Sequence, residues 1–157
     1  MNKRLLLLLF SLLFQARATV LPAAPKDSGI EGEIIGQRIA ERASMYMKAH
    51  YKFGGHTSDA VDCSGLVYRI WADLKLGKLP PQASALYKLG RAVQPEELRA
   101  GDLIFFENTY RRGISHVGIY TEDAEFIHAA NKRVGVTVGK VTDPYYLKRI
   151  VGARRLY

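Results

Sequence analysis

Asp62-Cys63-Ser64-Gly65-Leu66-Val67-Tyr68-Arg69-Ile70-Trp71-Ala72-Asp73-Leu74 reads as a helix that opens on a capping aspartate and carries the chain's single cysteine in its first turn. Leu66, Val67, Ile70, Trp71 and Leu74 fall on one stripe, and Gly77 closes the pattern. Upstream, Ile35, Ile39, Ala43, Tyr46 and Met47 recur at helical spacing, which predicts a first helix from Glu33 to about His50, before Gly54-Gly55. Downstream, Pro80-Pro81 breaks the chain, a short helical stretch follows around Ala83 to Leu89, and Pro95-Glu96-Glu97-Leu98 suggests one more turn. The character then changes. Leu103 to Phe106, His116 to Tyr120, Glu125 to Ala129, Arg133 to Val138 and Ile150 to Tyr157 are β-rich runs separated by polar or glycine punctuation. Helices first and strands afterwards predict an α+β domain, its N-terminal helices packed on a mainly antiparallel β-sheet of about five strands.

The chain ahead of this pattern concerns compartment rather than fold. Asn2-Lys3-Arg4 is a basic start, Leu5 to Phe14 is apolar apart from Ser11, and Ala16-Arg17-Ala18 offers small residues at the spacing a signal peptidase reads. Residues 1–18 therefore read as a secretory signal peptide. The apolar run is shorter than the roughly 20 residues of a membrane helix, so no stable membrane anchor is expected after cleavage. Residues 19–32 mix prolines, glycines and charges without hydrophobic period and read as a flexible leader, leaving 33–157 as one domain. Without Lys3, Arg4 and Arg17, 20 basic residues face 15 acidic ones. In an exported chain that balance suits the periplasm or cell wall, with its carboxylates and phosphates, and no nucleic-acid partner is expected.

A lone cysteine in an exported chain forms no internal disulfide, so Cys63 is either a buried small hydrophobe or a reactive thiol. Sulfur attacks as thiolate, and a free thiol with pKa near roughly 8.5 needs help to ionise. The first turn of a helix provides a dipole, and a histidine across the cleft provides a base. On this reasoning Cys63 is expected to be an unusually good nucleophile below neutral pH. His116 and His128 are the base candidates, since strands joined by the Thr121 to Ala124 turn bring both to one region of the sheet. A zinc site with Cys63 and His50, His56, His116 and His128 lacks the short paired spacing of structural sites, so neither metal nor cofactor is expected.

Six blocks narrow this choice. Tyr51-Lys52-Phe53-Gly54-Gly55, Asp62-Cys63-Ser64-Gly65-Leu66-Val67, Gly101-Asp102-Leu103-Ile104-Phe105-Phe106, His116-Val117-Gly118-Ile119-Tyr120, Phe126-Ile127-His128-Ala129 and Gly152-Ala153-Arg154-Arg155 follow one another along the chain. Together they resemble the NlpC family of papain-like cell-wall cysteine peptidases. The resemblance implies a secreted peptidoglycan hydrolase that cuts stem peptides, with Cys63 as nucleophile, His116 as base and His128 as the polar third member. It implies further that Tyr51 helps hold an oxyanion and that Asp62 and Ser64 line substrate subsites, although helix capping explains the last two equally well. The bond it points to joins D-glutamate through its side chain to diaminopimelate or lysine. A D-alanyl cross-link, a papain-like amidase or acyltransferase, and a non-catalytic wall-binding protein are the alternatives. The chain departs from the family at His50, where a proline is usual, and at Leu79-Pro80-Pro81-Gln82-Ala83-Ser84-Ala85-Leu86, which lacks the usual arginine. Tyr110, Arg111 and Arg112 offer a replacement positive charge.

Overall fold

The computed structural model describes residues 29–157; the signal-peptide reading of residues 1–18 and most of the expected leader lie outside the described residues. The elements run α1 (Ile30–Ser44), β1 (His50–Tyr51), β2 (Ala60–Val61), α2 (Cys63–Asp73), α3 (Ala83–Leu86), β3 (Arg91–Val93), a 3-10 turn (Pro95–Glu97), β4 (Leu103–Glu107), β5 (Ile114–Tyr120), β6 (Glu125–Asn131), β7 (Gly135–Lys140), α4 (Pro144–Leu147) and β8 (Ile150–Arg155). Among the described residues no helix is long and apolar enough to cross a membrane.

Strands β3-β8-β4-β5-β6-β7 form one six-stranded sheet, antiparallel throughout. It has one strand more than the five runs of the sequence because β3 is only three residues long, too short to show alternation, and is held by pairing with β8. The apolar run Leu103-Ile104-Phe105-Phe106 lies mid-sheet and is buried on both faces. Leu103 and Phe105 join the core under the helices with Leu66, Ile70, Trp71, Val117 and Ile127; Ile104 and Phe106 join a second cluster with Phe126 and Val141.

Both main helices differ from their expected bounds. α1 begins at Ile30, inside the segment read as leader, where the Glu33 N–H donates to the Gly29 carbonyl at 3.1 Å and Glu31 and Glu33 sit at the positive end of the helix. It stops at Ser44, well before His50. Lys48 takes a positive φ of 70°, and the chain then runs beside β7, where Lys48 N–H donates to the Val136 carbonyl and Val136 N–H to the Ala49 carbonyl, each at 3.0 Å. α2 likewise ends at Asp73 rather than near Gly77, because Lys75 already adopts a positive φ of 57°. α2 packs across β5 and β6 and against α1, which seats its first turn on the sheet.

Candidate active site

The pairing of β1 with β2 brings the first site residues together. These two strands are parallel, with Tyr51 opposite Val61, so the tyrosine stands beside the entry to α2. Asp62 then caps the helix: its Oδ1 accepts from the Gly65 N–H at 2.7 Å, while Oδ2 accepts from the Gly54 N–H at 2.7 Å. One carboxylate thus ties the helix N-terminus to the glycine turn. Gly65 is required for that approach, since a Cβ there would strike the Gly55 carbonyl. The Ser64 hydroxyl, expected to cap or line a subsite, donates to the Pro81 carbonyl at 3.0 Å and lies 3.2 Å from Asp62 Oδ1.

Cys63 is 4% exposed at the head of α2. Its sulfur meets β5 at the backbone on both sides of His116, the thiol donating to the Ser115 carbonyl at 3.9 Å and the Val117 N–H approaching from the next residue. Burial, and then the Asp62 carboxylate, push the thiol up to about 11; N–H groups of Val117, Ser64 and Cys63 itself act against this without overcoming it. The expectation of a thiol primed below neutral pH is therefore corrected. With the sulfur this buried, the neutral thiol wins over the helix dipole.

His116 and His128 are placed as a pair. Nε2 of His116 lies 2.7 Å from Nδ1 of His128, and the rings stand edge to face at 89°. Phe106 flanks His116, and Phe126 and Tyr146 flank His128, so the imidazoles sit on the aromatic side of the sheet. Burial, and then the charge on His128, hold His116 down to about 3, and burial holds His128 down to about 4. Both imidazoles are neutral at ordinary pH. The β5–β6 ladder is limited to Ile119 opposite Ile127 and Tyr120 opposite Phe126. Cys63 approaches β5 at Ser115, beyond this paired stretch.

Tyr51 is half-buried, and burial followed by the nearby Cys63, Asp62 and Tyr110 pushes its hydroxyl up to about 12, so it stays a donor. A groove of about 420 Å³ has Asp62, Ser64, Pro81 and Gln82 on its walls and Tyr110 and Arg111 among its lining residues. The altered 79–86 segment and the arginine loop therefore border the same groove. Phe53 and Tyr110, 68% and 53% exposed, meet edge to face across 5.9 Å at its rim. Among the described residues no three His, Cys, Asp or Glu side chains gather as metal ligands would. The sequence reading missed Ser115, whose carbonyl receives the thiol, and Tyr146, whose hydroxyl lies 3.4 Å from Nε2 of His128. The aromatic pair after the Asp143-Pro144 helix start is the only signal Tyr146 gives in the sequence.

Residues 48–155 match the NlpC/P60 family. The chain is 32% identical to a protein of Bacillus subtilis (strain 168) named gamma-DL-glutamyl hydrolase, across 90% of this chain and 37% of that one. It is 33% identical to the murein DD-endopeptidase MepS/murein LD-carboxypeptidase of Escherichia coli (strain K12), across 78% of this chain and 63% of that one. Thus the chain spans less than two thirds of either relative. A crystal structure of an NLP/P60 family protein similar to lipoprotein, from Staphylococcus aureus subsp. aureus Mu50, superposes with a TM-score of 0.69 at 33% identity, covering 87% of this chain and 45% of that one. On the extent of the family match, this chain belongs to the NlpC/P60 family.

Proposed function

We propose that this protein is an exported peptidoglycan hydrolase that cuts an amide bond in stem peptides by thiol catalysis, with Cys63 as nucleophile, His116 as base and His128 as its orienting partner. The observation that carries the reading is the buried imidazole pair, joined at 2.7 Å, whose member His116 lies in β5 between Ser115 and Val117, the two residues whose backbone meets the Cys63 sulfur. Since Nε2 of His116 is engaged by His128, Nδ1 is the nitrogen left for the thiol proton. Sulfur leaves the Ser115 carbonyl and attacks the substrate carbonyl as its proton passes to Nδ1. The N–H of Cys63 and the Tyr51 hydroxyl hold the oxyanion. The imidazolium so formed is a strong acid in this buried site and protonates the departing amine. Water, deprotonated by His116, then releases the acyl group from sulfur.

Asp62 suits a subsite for a stem-peptide ammonium as well as its capping role. Its Oδ1 accepts from the Gly65 N–H and lies 3.2 Å from the Ser64 hydroxyl, whereas Oδ2 serves Gly54 N–H alone and keeps a lone pair. The bond favoured is D-γ-glutamyl to diaminopimelate or lysine, supported by the glutamyl hydrolase name of the B. subtilis relative. The E. coli relative's name supports a D-alanyl cross-link as the second reading.

Purified protein incubated with muropeptides tests this, with mass spectrometry of the products assigning the bond. Cys63→Ala protein, shown folded by circular dichroism, is expected to lose activity by about 10³-fold or more. Cleavage by that variant at the wild-type rate would sink the mechanism.

A further inference from the structure

The hydrogen-bonded chain does not end at the histidine pair. Tyr146 Oη lies 3.4 Å from Nε2 of His128, and the phenol ring stands edge-on to the imidazole, 5.3 Å away at 88°. α4 places it there. The Asp143 carboxylate caps the helix by accepting from the Tyr145 N–H at 2.7 Å, Pro144 occupies the first turn, and the Tyr146 ring packs 5.4 Å from Phe106 and 5.0 Å from Phe126.

Hydrogen bonds along such a chain must run in one direction. One proton lies between Nε2 of His116 and Nδ1 of His128. If His128 supplies it, neutral His116 carries its own proton on Nδ1 and has no place for the one on sulfur. If His116 supplies it, Nδ1 is bare and basic, and His128 is the Nε2–H tautomer. That Nε2 proton sits on a side chain 1% exposed and needs an acceptor. We propose that Tyr146 is a positioning residue whose oxygen accepts the Nε2 proton of His128 and thereby holds the pair in the tautomer that leaves His116 Nδ1 free for the thiol. The phenol's own proton is left for a surface pocket of about 420 Å³ lined by His128, Lys140, Asp143 and Tyr146, among others. The inference rests on the proposed roles of Cys63, His116 and His128.

Tyr146→Phe tests it, because phenylalanine keeps the ring contacts and removes only the hydroxyl. On muropeptides kcat is expected to fall about tenfold with KM unchanged, the scale of losing a group that orients a reacting one. Two-bond 1H–15N spectra of histidine-labelled protein give the second readout, taken in a Cys63→Ala background so that it does not depend on turnover. They should show His128 as the Nε2–H tautomer with Tyr146 present and a shift toward Nδ1–H with phenylalanine. An unchanged kcat, an unchanged tautomer, or an Nδ1–H His128 when Tyr146 is intact would each overturn the proposal. Failure of the parent reading shows separately, as full hydrolysis by Cys63→Ala.

Discussion

His128 carries no charge at neutral pH, and in the proposed mechanism its part is to accept from Nε2 of His116 and fix the ring. A side-chain amide also accepts, so His128→Gln should keep measurable muropeptide hydrolysis, while His128→Ala loses about tenfold or more beyond it. Cys63 gives a complementary measurement. With its thiol pushed up to about 11, labelling by iodoacetamide at neutral pH depends on a base, so His116→Ala should slow it about tenfold or more. In that variant the rate should climb with pH toward the thiol's own ionisation. Equal labelling of the two proteins at pH 7 would remove His116 from the role of base. At this scale the sequence motifs singled out Cys63, His116, His128 and Tyr51, because each sits in a block of recognisable pattern. They were silent on protonation. The dipole of a first turn can be read from Asp62-Cys63, whereas the burial that outweighs it comes from the folded packing around the sulfur, which no local pattern reveals.

At the scale of elements, the site depends on how closely the head of α2 approaches the Gly54-Gly55 turn. Asp62 spans the two with bonds of 2.7 Å to Gly65 and Gly54, and Gly65 leaves room for the Gly55 carbonyl. Asp62→Ala removes the cap and a second buried bond, and should cost about 1–3 kcal/mol in chemical denaturation. Gly65→Ala keeps the cap but forces α2 away from the turn, so activity should fall further than stability. If Gly65→Ala turns over normally, the close approach is not what positions Cys63. α2 itself was legible because one stripe of apolar residues, a capping aspartate and helical spacing agree along it. The end of α1 was not. Met45, Tyr46 and Met47 continue its apolar character, and the chain turns there because Ala49 and Lys48 bond to Val136, a partner no local pattern reveals. β3 and the β1–β2 pair escaped for the same reason, being short strands defined by their partners.

Across the whole molecule, Cys63, His116 and His128 titrate far from their values in an unfolded chain, and the Asp102–Arg155 pair shows how much fold rests on polar contacts. Both Asp102 oxygens accept from the Arg155 guanidinium at 2.7 Å, with exposures of 0% and 4%. Asp102→Ala strands that cation in the interior and should destabilise by about 3–5 kcal/mol. The histidine pair governs the pH dependence. An unfolded histidine titrates near about 6.5, whereas burial holds His116 to about 3 and His128 to about 4. Between these values the unfolded chain binds protons that the folded one refuses, so stability falls as pH drops below about 6.5, by about 1.4 kcal/mol per pH unit for each histidine. Above neutrality the sign reverses: an unfolded thiol releases its proton while folded Cys63 keeps it up to about 11, so stability declines again on the alkaline side. Asp73, where the Tyr46 hydroxyl, Arg42 and Arg69 outweigh burial to hold the carboxyl low, acts only further into acid. Thermal unfolding followed from pH 4.5 to pH 10 should therefore trace a plateau centred between about pH 7 and 9. His128→Gln should remove about half of the acid slope, since one of the two refusing imidazoles is gone, and Cys63→Ala should make the alkaline decline later and shallower, leaving the part due to the raised hydroxyls of Tyr46, Tyr51, Tyr146 and Tyr157, with the acid side unchanged. A melting temperature that holds constant from pH 7 down to pH 4.5 would mean that these imidazoles take up protons in the folded protein, and that the neutral pair described here is wrong.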